Sequence, residues 1–243
     1  MSADFFAPRH CVVCGRENPK GAFRYLCVSC AKDLYFINGG TCSKCGEIIG
    51  RNSSAFVDGC AYCASEKPFF EHAASACVYG DPASEKLLFA LKYNGGKYAA
   101  DDIARLIVKN PRATEFLKGA IICPVPLHSK RMRKRKYNQS IEIVSRLEKI
   151  APALGVKIEP LLKRVKNTKT QTALDRQERA RNMRGAFAPS AELTKIPRPL
   201  REFARVVIFD DVMTTNATVS ECARVLKREG FKNVDAFSVF KRI

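Results

Sequence analysis

The chain has 243 residues, 46% of them hydrophobic, enough for one large domain or two smaller ones. Lys and Arg number 42 against 24 Asp and Glu, and the resulting +18 favours polyanionic partners: nucleic acid, phosphorylated metabolites or an anionic membrane surface. No window approaches the ~20 consecutive apolar residues of a membrane span, and MSADFFAPRHC has no basic segment followed by an apolar stretch, so a cytoplasmic protein without a membrane span is expected.

The first elements in the chain are four CxxC knuckles. Cys11 and Cys14 are followed by Cys27 and Cys30, and Cys42 and Cys45 by Cys60 and Cys63. A CxxC turn points two thiolates at one metal, and two knuckles complete a tetrahedral shell of sulfur. Disulfides fit poorly, because the cytosol keeps thiols reduced. Two structural Zn²⁺ ions are therefore expected, with no coordination position left for a substrate. The order of the knuckles suggests two sequential ribbons, 11/14/27/30 and 42/45/60/63, and leaves an interleaved pairing of 11/14 with 42/45 open. With few apolar residues between knuckles, this region is expected to need its metal to fold. His10 reads as a surface residue, and Cys77, Cys123 and Cys222 as small buried ones.

After Cys63 the character changes. SEKPFFEHAAS reads as an entry segment and SACVYG as a strand. In DPASEKLLFALKYNGG, Asp81 is placed to cap a helix and Pro82 to open it. Leu87, Leu88 and Leu91 share a face, and Asn94-Gly95-Gly96 ends it. A second helix is expected over 99–108. AIICPVP (120–126) is a buried strand running into a turn, and the basic run Lys130–Lys136 follows as a loop. A helix begins after Asn138 with Ile141, Val144 and Leu147 apolar. VVIF (206–209) is another buried strand, followed by a helix carrying Val219, Cys222, Ala223 and Leu226. NVDAFSVF closes the chain as a strand. Buried strands alternating with helices predict a parallel sheet covered on both faces. Ligands of such sheets bind beyond the carboxyl ends of the strands.

That rule draws attention to VVIFDDVMTTNATVSECARVLKREG (206–230). Asp210 and Asp211 lie at the end of a buried strand, and the loop Met213–Thr218 leads into a helix N-terminus. Backbone N–H groups and the helix dipole there make an anion cradle, to which Thr214, Thr215 and Thr218 add hydroxyls. Two carboxylates would repel a phosphate unless they face sugar hydroxyls or Mg²⁺. The expected ligand is a sugar phosphate, with the carboxylates on the vicinal hydroxyls and the loop on the phosphate.

Hydrophobic strand, Asp-Asp, Val, one variable residue and TTNAT resembles the phosphoribosyl pyrophosphate (PRPP) motif of type I phosphoribosyltransferases. The whole chain resembles the ComF competence family. That resemblance rests on the paired CxxC ribbons, FALKYNGGKYAADDIARL, PVPLHSKRMRKRKYNQS and RVKNTKTQTALDRQERARNMRGAF ahead of the PRPP loop. It implies an α/β fold, a parallel-sheet type I phosphoribosyltransferase-like domain over 72–243 behind a small double zinc ribbon over 1–68. The family usually has Gly where this chain has Asn216. Asn best tolerates positive φ after Gly, so the loop is still expected to form.

The resemblance also implies roles. Asp210 and Asp211 would bind the ribose hydroxyls of PRPP, directly or through Mg²⁺. Thr214, Thr215, Asn216, Ala217 and Thr218 would hold its 5-phosphate. Arg131, Arg135 and Lys130 would neutralise pyrophosphate, arginine with bidentate contacts. Gln171, Arg179 and Asn182 would form a hood over the pocket, on a helix that starts after Thr172 and Asp175. His128 reads as a turn residue. The chain ends at FKRI soon after its last strand, so the hood is expected from internal segments, and no acceptor base is legible in them. The expected activity is transfer of a phosphoribosyl group to an unassigned acceptor in natural competence and DNA uptake, with single-stranded DNA and a competence helicase as partners. The alternatives are a non-catalytic single-stranded DNA-binding factor and a PRPP-sensing regulator.

Overall fold

The computed structural model describes residues 10–17, 22–49, 60–93, 96–168 and 176–242. The first half of each ribbon is the same small turn. In CVVCG (11–15), Gly15 N donates to Cys11 O at 2.8 Å, and Cys11 N to Arg16 O at 2.9 Å. In CSKCG (42–46), Gly46 N donates to Cys42 O at 2.9 Å, and Cys42 N to Glu47 O at 2.8 Å. Both glycines take positive φ, 75° and 70°, where a side chain is strained. Gly46 has a second constraint, since a Cβ there would stand 3.0 Å from Ala73 O. Each second knuckle opens a short helix: Cys27 caps α1 (Val28–Lys32) and Cys60 caps α2 (Ala61–Glu66). Each ribbon is therefore a turn plus a helix N-terminus.

Strand β1 (Ala73–Tyr79) then enters the α/β unit. The Asp81 carboxylate caps α3 (Pro82–Lys92), accepting from Ala83 N and Ser84 N with Pro82 in the first turn. The C-cap of α3 is Tyr93; Asn94 and Gly95, expected to end this helix, lie outside the described residues. Helix α4 (Ala99–Lys109) is followed at once by α5 (Pro111–Leu117), capped by Asn110. After β2 (Ile121–Pro124) the basic run, expected as a loop, is helical: α6 (Ser129–Arg135), capped by His128. Arg, Lys and Met are good helix formers, and nothing in the run breaks the turn until Lys136, which takes φ 66°. Asn138 caps α7 (Gln139–Ile150), as expected. Short strands β3 (Lys157–Ile158), β4 (Leu162–Arg164) and β5 (Phe187–Pro189) and helices α8 (Arg176–Met183), α9 (Ala191–Thr194) and α10 (Arg198–Arg201) lead to β6 (Arg205–Met213), α11 (Ala217–Arg228) and β7 (Asn233–Arg242).

Five strands form one sheet in the order β1-β7-β6-β2-β3, every pair parallel. Strands β4 and β5 make a separate antiparallel pair. The sheet is buried on both faces, and side-chain alternation sorts its residues. Val207, Phe209, Phe237 and Val239 pack with α3, α4 and α7 and with the first ribbon through Phe23, Leu26 and Leu34. Val206, Ile208, Val234 and Ala236 pack with α11, Met183 and Phe187 and with the second ribbon through Tyr62 and Phe70. Each ribbon thus extends a different core. The chain between them also covers the free edge of β1, where Ile37 N donates to Ala76 O and Val78 N to Tyr35 O, both at 2.9 Å, which removes an exposed edge. Among the described residues no helix is long and apolar enough to cross a membrane.

Candidate functional site

The eight knuckle cysteines gather into two sets, Cys11/Cys14/Cys27/Cys30 and Cys42/Cys45/Cys60/Cys63, with all four sulfurs of each within 4.8 Å of one another. This settles the pairing as sequential. Cys14 and Cys27 Sγ are 3.7 Å apart, Cys42 and Cys63 3.8 Å, and Cys45 and Cys60 3.4 Å. These spacings are too long for an S–S bond of ~2.05 Å and match the ~3.8 Å edge of a tetrahedron with Zn–S near 2.3 Å. The donor set fits zinc. Hydrogen bonds from the Arg16 side chain and backbone lower the Cys14 thiol to about 6, whereas burial pushes Cys30 up to about 12. A metal entering the first set displaces the buried proton. Cys77, Cys123 and Cys222 are buried and unpaired.

Strand β6 carries the acidic pair. Its neighbour β2 ends with Pro124 opposite Phe209, while β6 continues four residues to Met213 along β7. Asp210 and Asp211 therefore sit within the strand and not past its end, at the point where one neighbour has stopped. Consecutive strand residues face opposite ways. Asp211 lies on the α3 face, where Lys92 Nζ is 2.8 Å from its Oδ2, and Asp210 lies on the α11 face. Their electrostatics diverge. Burial, then repulsion from Asp211, raise Asp210 well above the usual carboxylate range. Burial pushes on Asp211 too, but Lys92 and a hydrogen bond from Asp210 outweigh it and hold that carboxyl low.

Both carboxylates line a cavity of about 470 Å³ beyond the carboxyl ends of the strands. Thr214, Thr215, Asn216, Ala217 and Thr218 line it as well. Asn216 takes φ 57° and caps α11, the conformation the sequence required of it. Arg131 and Arg135 enter from α6, where Lys134 joins them and Lys130 stands exposed outside the lining. Sequence reasoning did not find Arg164, from the end of β4, which completes the cationic wall. Burial, then the charge of Arg131, lower the Arg164 guanidinium, and burial and Arg135 do the same to Arg131. Cations that crowd one another in this way are relieved by an anion. Gln139 is also new to the site. It lines the cavity nearly fully buried, and its Nε2 donor has no hydrogen-bond partner among the described residues. Thr215 Oγ1 is likewise buried and unpartnered. A buried donor without an acceptor costs about 1–3 kcal/mol, so these groups are set for a polar ligand.

Among the expected hood residues, Gln171 lies outside the described residues, as do Thr172 and Asp175. Arg179 and Asn182 stand on α8, which packs against α11, and neither lines the cavity. Arg164 was missed because it sits at a strand end with no local motif. Gln139 follows the Asn138 cap and reads as an ordinary helix start.

Comparison with known proteins agrees with this arrangement. Residues 2–77 match the family model described as a double zinc ribbon domain. The chain is 26% identical to competence protein F of Haemophilus influenzae, over 89% of this chain and 97% of the relative. It is 28% identical to the DNA utilization protein YhgH of Salmonella typhimurium, over 90% and 97%, and 26% identical to YhgH of Escherichia coli K12 over the same shares. A solved hypoxanthine phosphoribosyltransferase of Staphylococcus aureus aligns at 12% identity with a TM-score of 0.35, over 59% of this chain and 72% of that one; that likeness is too distant to argue from. Two four-cysteine ribbons, a parallel sheet and relatives named competence protein F and DNA utilization protein over nine-tenths of the chain support its resemblance to the ComF competence family.

Proposed function

We propose that the cavity binds Mg²⁺-PRPP and that the protein transfers the phosphoribosyl group to an acceptor during DNA uptake. The observation that carries this reading is the division of the cavity into an acidic end, a threonine-rich loop at a helix N-terminus and a cationic wall. Each matches one part of PRPP. Asp210 and Asp211 take the ribose hydroxyls, residues 214–218 the 5-phosphate, and Arg131, Lys134, Arg135 and Arg164 the pyrophosphate. Gln139 donates to a phosphate oxygen. Bound Mg²⁺ would supply further charge neutralisation on the leaving group, held by the acidic pair. Loss of pyrophosphate from C1 leaves an oxocarbenium-like centre, so the protein needs no nucleophile. It stabilises the departing charge and holds the acceptor in place.

Release of pyrophosphate from PRPP, measured with a panel of bases and nucleic-acid acceptors, tests this reading. Acceptor-dependent release supports a transferase. Binding without release would instead make the protein a PRPP-sensing regulator.

A second reading, single-stranded DNA binding, is favoured by one surface. Tyr25 of the first ribbon and Tyr98 beside α4 hold their rings 5.6 Å apart. The guanidinium of Arg24 stands over Tyr25 at 5.5 Å, and Arg105 and Arg146 complete a shallow cavity of about 420 Å³. Tyr98 is 60% exposed. Stackable rings among arginines suit unpaired bases on a phosphate backbone. The two readings use different surfaces, so one chain accommodates both. The name DNA utilization protein, carried by the Salmonella and Escherichia coli relatives, accords with this surface. Binding of a labelled single-stranded oligonucleotide should weaken steeply with salt and weaken again in Tyr98→Ala; a flat salt profile would remove this reading.

A further inference from the structure

The loop between β6 and α11 is held at every residue, by the second ribbon directly at Thr215 and Asn216 and by Lys241 of β7 at Thr214. Tyr62 Oη donates to Thr215 O at 2.7 Å. Asn216 Nδ2 donates to Cys45 O at 2.9 Å. Lys241, fully buried near the end of β7, donates from Nζ to Thr214 O at 2.9 Å and to Asn216 Oδ1 at 3.3 Å. The same ammonium pairs with Glu47 Oε2 at 2.9 Å. The ribbon groups in these contacts belong to the metal knuckles themselves. Cys45 is a thiol of the four-sulfur set, Glu47 follows it by two residues, and Tyr62 sits inside Cys60-x-x-Cys63.

The first ribbon is anchored elsewhere. Its Arg24 N and Tyr25 N donate to Asp102 of α4 at 2.7 and 2.6 Å, and Lys86 of α3 donates to Val13 O at 2.7 Å. The two ribbons thus have separate jobs, and the two knuckle sets provide a control for each other.

We propose that the second four-cysteine site is a positioning element for the phosphate loop. Metal there fixes the two knuckles, and the knuckles fix Tyr62 Oη and Cys45 C=O, which set the direction of the loop amides. Asn216 is the positioning residue of this linkage. Glycine at 216 would adopt the same backbone conformation but would leave Cys45 O and Lys241 Nζ without its side chain. The ligand named for the loop rests on the function proposed above; the coupling of loop to ribbon does not.

Amide hydrogen exchange of the full chain, without ligand, tests the coupling. The probes are peptides covering 213–220, 121–124 and 22–34, in the wild type, Cys42→Ser, Cys14→Ser and Asn216→Gly, each with its zinc content measured. Cys42→Ser is expected to speed exchange at 213–220 by about tenfold or more while 121–124 stays protected. Cys14→Ser should loosen 22–34 and leave 213–220 unchanged. Asn216→Gly should keep both zinc ions and speed exchange in the loop alone. Unchanged loop exchange in Cys42→Ser, or equal acceleration in 121–124, would overturn the coupling, the latter by making the ribbon a general support of the fold. If the wild type binds no PRPP while the exchange pattern holds, the coupling stands and the proposed ligand falls.

Discussion

Lys92 Nζ lies 2.8 Å from Asp211 Oδ2, so among the described residues it is Asp211, and not Asp210, that holds an ion pair. This contact decides which carboxylate keeps its charge. Replacing Lys92 by Met leaves Asp211 partly buried without its partner, a loss of about 1–3 kcal/mol. Lys92→Met is expected to lower Tm by several degrees, and Mg²⁺ should restore part of the loss by supplying a positive charge at the same carboxylates. Thermal unfolding with and without Mg²⁺ checks this. An unchanged Tm, or a loss that Mg²⁺ leaves untouched, would count against it.

Asp210 has the opposite problem. Burial first, and then Asp211, raise its pKa above the value near 3.9 of an unfolded chain. Its favourable contribution is therefore present below the unfolded pKa and lost as pH rises through the folded one. Asp210→Asn should raise Tm by a few degrees at neutral pH while weakening Mg²⁺-PRPP binding. In the wild type that binding should strengthen as pH rises through the raised pKa, with a proton released. Calorimetry in two buffers of different ionisation enthalpy reads the proton directly. A pH-independent affinity with no proton release would contradict the assignment.

Arg164 is tied to Thr168 by a hydrogen bond and stacks over Phe187 with its guanidinium 5.4 Å from the ring centroid. It is thus fixed before any anion arrives. Arg164→Met should weaken Mg²⁺-pyrophosphate binding about tenfold or more, with Arg164→Lys between the two because it keeps the charge and loses the fork. Equal affinity in all three proteins would remove Arg164 from the site.

Asp102 joins the first ribbon to α4 by accepting two backbone N–H groups while fully buried. Burial raises its pKa to about 6 against these hydrogen bonds. Stability from this group is present below the unfolded pKa and declines as pH rises through about 6. Asp102→Ala orphans both donors and should cost about 2–5 kcal/mol in denaturant unfolding, with two zinc ions still bound. A loss below about 0.5 kcal/mol, the range of ordinary surface substitutions, would show that the ribbon is held by packing alone.

The fold was legible where the signal was local. Asp81, Asn138 and the buried run 206–209 announce their caps and strand through the spacing of a few residues. The knuckles announce their metals in the same way, but which knuckles pair depends on three-dimensional contacts and emerged only from the sulfur positions. The basic run around Arg131 was read as a loop because charge masks a helix that has no apolar face of its own. At the site, the acidic pair and the loop lie within nine residues of sequence, 210–218, and could be read together. Lys92, Gln139 and Arg164 come from α3, α7 and β4, and only folding brings them to the cavity. The grip of the second ribbon on Asn216 joins positions 171 residues apart, a relation that no local pattern contains.

The most direct test is titration calorimetry of Mg²⁺-PRPP into the wild type and into Asp210→Asn combined with Asp211→Asn. The account predicts one ligand per chain in the wild type and an affinity at least about a hundredfold lower in the double variant. Equal affinity in the two proteins, with both folded and carrying zinc, would contradict it.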